Sequence, residues 1–355
     1  GFTLEKIGGS TGGDESSSTV ESSSTTEPAT ADGFHVSGKK ILDANGNEFI
    51  MRGINIGHAW LHPTNNTKPY SNDTFKAIAA SARLGVNTIR FCLSDGDDRQ
   101  DMKYEDWIKT PRSEVEEIIK TCEDNNVVAV LTIQDPTGNS GTWMIDNAVN
   151  YWIEIADLLN AHKDTVILNI ANEWNGDMGY YRTAIQNLRN AGIGNMIMVD
   201  AGDWGHGVST ITGNAGSIAG ADKLNNTIFS IHAYKDIGNV RDAVYNCNSI
   251  SQPIVVGEFG DDPNSTMDCC SEWGIGYLAW SWIGNDGGVE YLDMAKDDDA
   301  LELHSYGSNI FNRDTGIQST SKLCSVYTKN NPSYTVTPKT SNSESGTVSS
   351  AQTVN

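Results

Sequence analysis

Between residues 33 and 335, short apolar runs alternate many times with longer segments whose apolar positions recur three and four apart. The short runs read as strands. In "GFHVSGKKILDANGNEF" two brief runs flank an Asn-Gly turn signal, which predicts a small β-hairpin. A first core strand then runs from Ile50 to Ile56, followed by "VNTIRFCL", "VVAVLTI", "VILNIA", "MIMVD", "TIFSIHAY", "PIVVGEF" and "GYLAWSW". These runs are apolar on both faces, as expected for a parallel sheet covered by helices. Between them, "SEVEEIIKTCEDN" opens with Ser113 and Glu116 in a capping-box arrangement, and "TWMIDNAVNYWIEIADLL" keeps helical spacing. Eight strand-helix units predict an α/β fold, a (β/α)8 TIM barrel with a short N-terminal β-hairpin. No Gly-rich phosphate loop follows the first strand, so a dinucleotide-binding sheet is excluded.

Outside that region the pattern lapses. Residues 10 to 30 hold 12 Ser or Thr among 21 positions, with several acids, one Pro and no apolar period, so residues 10–32 read as a linker. Residues 1–9, "GFTLEKIGG", carry a strand-like fragment that reads as the remnant of a preceding module, and residues 336–355 have linker composition again. The start shows neither an initiator Met nor a signal-peptide pattern. The chain therefore reads as a mature or excised piece of a modular extracellular protein, with the barrel at 33–335.

Charge narrows the partners. A net charge of -22 repels phosphate backbones and anionic membrane surfaces, which argues against nucleic acid or lipid and for a neutral or cationic ligand. No stretch approaches the roughly 18 apolar residues of a membrane span. Six cysteines (92, 122, 247, 269, 270 and 324) lack zinc-site spacing; their even number permits up to three disulfides. "KDDDA", at 296 to 300, lacks the calcium-loop pattern and reads as a solvated loop, so no metal is expected.

In such a barrel the working residues stand at the carboxyl ends of the strands. Here those ends offer Asn55, His58 and Trp60; Arg90; Gln134 and Asp135; Asn172, Glu173 and Trp174; Asp200, Asp203 and Trp204; His232 and Tyr234; Glu258; and Trp280 and Trp282. Two carboxylates facing across one cleft can cleave a glycosidic bond, one protonating the departing oxygen while the other attacks the anomeric carbon. Indoles supply flat platforms for sugar C–H faces. The acid needs a raised pKa, which a low-dielectric wall and a nearby second carboxylate supply; the nucleophile must stay anionic, which a neighbouring arginine and tyrosine hydroxyl supply.

"ILNIANEW", "FSIHAY", "PIVVGEFG" and "GYLAWSWIGN" resemble the fourth, sixth, seventh and eighth strand motifs of glycoside hydrolase family 5, and "MRGINIGHAW" with "NTIRFCLSDG" resembles its first two. The likeness spans roughly residues 34 to 330 and is greatest to the bacterial-type endo-β-1,4-mannanases of that family, through "HAW", "LSDG", "WSWIGN" and "VEYLDM". It implies a secreted, monomeric, retaining endo-β-1,4-mannanase acting without a cofactor on plant β-mannan. Carbohydrate-binding or scaffold-docking modules in a longer chain would fit the linkers.

Position by position, the resemblance makes Glu173 the acid/base and Glu258 the nucleophile. It gives Arg90 and Tyr234 the task of holding Glu258, Asn172 a bond to the sugar 2-hydroxyl, and His232 a place beside the acid/base. Trp280 becomes the floor of the reacting subsite, and Trp60 and Trp204 its flanking platforms. His58 is open between sugar contact and loop hydrogen bond, Trp174 and Trp282 between platform and wall packing, and Asp200 and Asp203 are read as ordering the loop after the fifth strand. The chain departs from the family pattern at Gln134, where a histidine is usual, and at Ile56, where an "N-H-x-H" form has its first histidine. Neither position supplies proton or nucleophile; both bear on hydrogen bonding around the sugar hydroxyls. Two other readings stay open: a cellulase of the same family, and a sugar-binding barrel with impaired catalysis.

Overall fold

The computed structural model describes residues 32–59, 74–96, 109–285, 287–299 and 302–328, with two further short strands, Tyr334–Thr335 and Thr353–Val354. The N-terminal remnant, nearly all of the first linker, and Trp60 lie outside the described residues. The chain first forms an antiparallel hairpin, β1 (His35–Ser37) and β2 (Lys40–Leu42), with Val36 opposite Ile41. Its turn falls at Gly38, in the left-handed region at φ 59, where a glycine carries no steric cost. The Asn-Gly signal at Gly46 makes a second turn, closed by a single antiparallel bridge between Leu42 and Glu48.

Eight parallel strands then close on themselves: β3 (Arg52–Ile56), β4 (Thr88–Leu93), β5 (Val128–Ile133), β6 (Val166–Asn169), β7 (Ile197–Asp200), β8 (Thr227–Ala233), β9 (Ile254–Phe259) and β10 (Gly276–Ala279), with β10 beside β3. Helices α1 (Thr74–Arg83), α2 (Arg112–Asp124), α3 (Thr142–Glu154), α4 (Ala156–Ala161), α5 (Tyr181–Asn190), α6 (Val208–Ala219), α7 (Val240–Cys247) and α8 (Pro263–Trp273) occupy the crossovers. The expected α/β barrel is therefore the observed one. Two local expectations differ. α2 begins at Arg112, with Pro111 as a cap that makes no side-chain bond, so Ser113 sits inside the first turn and the capping box does not form. The long helical segment after β5 breaks at Ile155, which ends α3 and starts α4.

Strand alternation divides the core into two layers. Ala129, Leu131 and Ile133 of β5 pack outward with the helices, while Val128 and Val130 point into the barrel beside Ile167, Met198, Ile228, Val255 and Leu278. Phe34, Ile41, Phe49 and Met51 from the hairpin region join that inner cluster and close the amino-terminal end. Above this apolar plug the next inward positions are polar and fully buried: Asn55, Arg90, Asn169, Asp200 and His232. The polar layer thus rests on an apolar floor.

Six cysteines all lie buried as free thiols. Among the described residues no helix is long and apolar enough to cross a membrane. The tightest backbone approach in the barrel is at Gly53 of β3, where a Cβ would fall 1.8 Å from the Thr88 carbonyl oxygen. Gly53→Ala is expected to destabilise the barrel by about 3 kcal/mol or more, read as a lower urea midpoint; an unchanged midpoint would contradict the packing described.

Candidate active site

Arg90 is the hub of the polar layer. A guanidinium has five N–H donors and no acceptor, and at this wholly buried position all five are used. Nε donates to Asn169 Oδ1 at 2.9 Å; Nη1 to Asn55 Oδ1 at 3.1 Å and Glu258 Oε1 at 2.7 Å; Nη2 to Asn172 Oδ1 at 2.6 Å and Asp200 Oδ2 at 3.1 Å. Five strands are tied to one cation. Burial alone would lower its pKa, but Asp200 and Glu258 outweigh that and push it higher still, so it is a permanent charge.

Glu258 reaches this cation through an irregularity. Ile231 pairs with Val256 but His232 pairs with Glu258, so Gly257 is an extra residue in β9. Strict alternation after inward-facing Val255 would aim Gly257 into the barrel and Glu258 away; the bulge turns the carboxylate inward. Gly257 is needed there, because a Cβ would lie 2.2 Å from Ser230 Oγ. The second carboxylate oxygen of Glu258 accepts from the Tyr234 hydroxyl at 3.0 Å. Burial, the largest influence, raises the Glu258 pKa, with Glu173 and Asp200 acting the same way against His232 and Arg90. Sequence reasoning gave the arginine and tyrosine the whole decision over its ionisation; desolvation and two carboxyl neighbours carry the net shift upward. Tyr234 is itself raised by burial and then by Glu258, and so stays a donor.

Glu173 stands opposite, at the end of β6, in the left-handed region at φ 43. Its N–H donates to Asp200 Oδ2 at 3.3 Å, and its carbonyl accepts from Gly138 N at 2.9 Å, which fixes the strained backbone from both sides. Its Oε1 lies 2.6 Å from His232 Nδ1. The other imidazole nitrogen sits 3.4 Å from Asp200 Oδ2, an ion-pair distance rather than a well-formed hydrogen bond. Burial disfavours a charged His232, but Glu258, Asp200 and Glu173 prevail and raise its pKa to about 10. At neutral pH it is an imidazolium. Burial pushes the Asp200 carboxyl up, but His232 and Arg90, helped by the Glu173 backbone N–H, outweigh it and hold Asp200 below its usual value.

Glu173, His232 and Glu258 bring their ligand-type atoms within 4.8 Å of one another. Among the described residues they form the grouping that could hold a metal ion, but their atoms already bond to each other, to Arg90 and to Tyr234. Two cations face three carboxyl groups.

These groups open into a cleft of about 740 Å³ lined by Glu173, Glu258, Tyr234, Trp280, Gln134 and Trp204, with Thr137, Asp203, His206 and Tyr291 around them. Trp280 is nearly covered and its Nε1 donates to Asn285 at 2.7 Å; Trp204 is 48% exposed on the rim. Gln134 is at the cleft wall, as expected. Asn172 lies just beneath, its amide engaged by Arg90 and Thr137. His58 is not on this wall: its nitrogens meet Thr74 Oγ1 at 2.8 Å and Glu114 Oε1 at 3.1 Å. Trp174 and Trp282 are fully buried, which settles both as packing. Asp298, within the segment read as solvated, is buried and its carbonyl accepts from Trp282.

Sequence reasoning listed Asn55 and Asp200 only as strand-end candidates and passed over Asn169 and His206. Asp200 is not a loop-ordering residue but a buried partner of both cations. Asn55 and Asn169, inward-facing amides in apolar strands, orient Arg90; their signal was a polar residue at an inward parity. His206 enters the cleft because Asp203, Trp204 and Gly205 are all left-handed, at φ 54, 54 and 75. A Cβ on Gly205 would fall 2.6 Å from the His232 ring, so only glycine lets this loop lie against the imidazole.

The profile of the cellulase family, glycosyl hydrolase family 5, matches residues 42–286. The chain is 38% identical to a mannan endo-1,4-beta-mannosidase of Salipaludibacillus agaradhaerens, over 86% of this chain and 99% of that protein. To the enzyme of that name from Streptomyces lividans it is 39% identical, over 84% and 79%. The mannohexaose complex of Thermomonospora fusca beta-mannanase superposes with a TM-score of 0.73 at 33% identity, covering 84% of this chain and all of that one.

Two outcomes follow from the geometry. Tyr234→Phe removes a hydrogen bond to a charged group, about 1.5–3 kcal/mol, so catalytic efficiency should drop roughly 10- to 100-fold. Its acidic pH limb should move upward, since the donor favours the Glu258 anion. An unmoved limb would separate Tyr234 from Glu258. Because His232 is raised from 6.5 to about 10, its stabilising contribution is complete below pH 6.5 and is lost as pH rises through about 10. Melting temperature should fall across that window, and His232→Asn should flatten the dependence.

Proposed function

The chain belongs to glycosyl hydrolase family 5, and from that premise we propose that it is an endo-β-1,4-mannanase cleaving internal bonds of mannan, glucomannan or galactomannan by double displacement. The substrate reading draws on the mannanase relatives and on the mannohexaose-bound structural neighbour. The mechanistic reading is carried by one observation: the ligand atoms of Glu173 and Glu258 approach within 4.8 Å. Retaining glycosidases hold their carboxyls about 5–5.5 Å apart, whereas inverting ones leave about 6.5–9.5 Å for a water.

In the first step a Glu258 oxygen forms a bond to the anomeric carbon as the glycosidic C–O bond breaks, and Glu173 passes its proton to the leaving oxygen. Glu173 Oε1 accepts from the His232 imidazolium, which leaves Oε2 to carry that proton. In the second step Glu173, now a base, takes a proton from water; the water oxygen bonds to the anomeric carbon and Glu258 leaves as carboxylate. Arg90 and Tyr234 donate to the same carboxylate throughout, so the attacking group is oriented before substrate arrives. Trp280 and Trp204 offer apolar faces to the sugars on the floor and rim. We also read the protein as secreted and monomeric, meeting its polymeric substrate outside the cell, in keeping with the Ser/Thr-rich stretch at 10–30.

Reducing-end release should be high on glucomannan and galactomannan and low on cellulose, with the β-anomer appearing first by NMR. Glu258→Ala should lower the rate by about 10³-fold or more. Equal release by wild type and variant would sink the enzyme reading, initial α-anomer would sink the mechanism, and a preference for cellulose would favour the glucanase.

A further inference from the structure

We propose that Trp143 is an outlying platform for the polysaccharide chain, stacking a hexose ring beyond the cleft on the side where Glu173 releases the leaving group; this rests on the mannanase reading above. Trp143 is the second residue of α3 and is 47% exposed, while its neighbours Met144 and Ile145 are buried in the core, so the indole stands on a fixed base. Exposure alone would say little. What distinguishes it is the loop beneath, which carries two indoles in the same way.

A Cβ on Gly138 would fall 2.1 Å from the Trp204 ring, and one on Gly141 would fall 2.3 Å from Trp143 Nε1. Each indole lies against a bare glycine backbone. The two glycines are three residues apart, so their Cα atoms are separated by at most about 11 Å, a gap that a sugar chain crosses in a couple of residues. Trp204 lines the cleft, and Trp143 lies against the same short loop three residues further along it.

The loop is also tied to the catalytic acid. Gly138 N donates to the Glu173 carbonyl at 2.9 Å, Asn175 N to the Asn139 carbonyl at 2.8 Å, Gly141 N to Asn139 Oδ1 at 2.8 Å, and Trp174 Nε1 to the Gly141 carbonyl at 3.0 Å. Both platforms therefore sit at a set position relative to Glu173. A tryptophan presents a large apolar face at little conformational cost, which suits the C–H face of a neutral sugar. The occupant is the same neutral polymer that fills the cleft, because the loop under Trp143 is the one under the cleft-lining Trp204.

The test compares wild type, Trp143→Ala and Trp143→Phe on polymeric mannan and on mannotriose, with melting temperatures as a fold control. For Trp143→Ala, KM on the polymer is expected to rise about five- to tenfold with kcat held, while mannotriose parameters move less than twofold; Trp143→Phe should recover most of the polymer affinity. Parallel changes on both substrates, or none on the polymer, overturn the platform. A changed sedimentation coefficient with an unchanged polymer KM would assign Trp143 to a contact between copies and overturn it equally. A wild type that leaves mannan intact would sink the mannanase reading and the platform together, whereas cleavage of mannan with Trp143→Ala indistinguishable from wild type removes the platform alone.

Discussion

One buried guanidinium organises the catalytic face. Arg90 is out of reach of water, and an isolated charge there would be prohibitively costly unless its hydrogen-bonding capacity were met in full. The barrel meets it from strands β3, β6, β7 and β9 and from Asn172 just past β6, converging on a side chain from β4. The planar fork accepts few arrangements, so satisfying it sets the orientation of Glu258, Asp200 and Asn172 together. A lysine would carry the charge but not the directions.

A second cation follows from the first. Asp200 serves both Arg90 and His232, and it also accepts from the backbone N–H of Glu173. His232 is held as imidazolium by this carboxylate and by Glu258 and Glu173. The pair of glutamates thus sit between two fixed positive charges, one under each role: Arg90 on Glu258 and His232 on Glu173. Preorganisation of this kind is where most of the catalytic advantage of such sites resides, since the dipoles need not move when charge develops. The strained φ values at Glu173, Asp203 and Trp204 belong to the same pattern: irregular backbone is concentrated where side chains must leave the regular strand ends.

Much of this was legible beforehand. Apolar runs alternating with amphipathic helices identify the barrel, and the strand ends identify Glu173, Glu258, Arg90, His232, Tyr234, Trp280, Trp204 and Gln134 as neighbours, because a closed parallel sheet brings all its carboxyl ends to one face. His58, open between sugar contact and loop hydrogen bond in the sequence, has its imidazole taken by Thr74 and Glu114, because proximity to a strand end does not say which way a short loop turns. The capping box at Ser113 failed because a helix can start a residue earlier behind a proline that has no cap to offer.

What the sequence determined by itself is periodicity and chemistry: eight inward-and-outward strands, the carboxylates and aromatics at their ends, and a net charge of -22. What only the tertiary structure decided is direction. Alternation would have sent Glu258 to the helix layer, and the extra residue Gly257, which must be glycine because Ser230 of the neighbouring strand β8 leaves no room for a Cβ, turns it into the barrel. Likewise Asp200, Asn55 and Asn169 acquire their roles only when strands far apart in the chain close around one cation. The physical reason is that hydrogen-bond geometry and steric exclusion act between neighbours in space, and a linear pattern records neighbours along the chain.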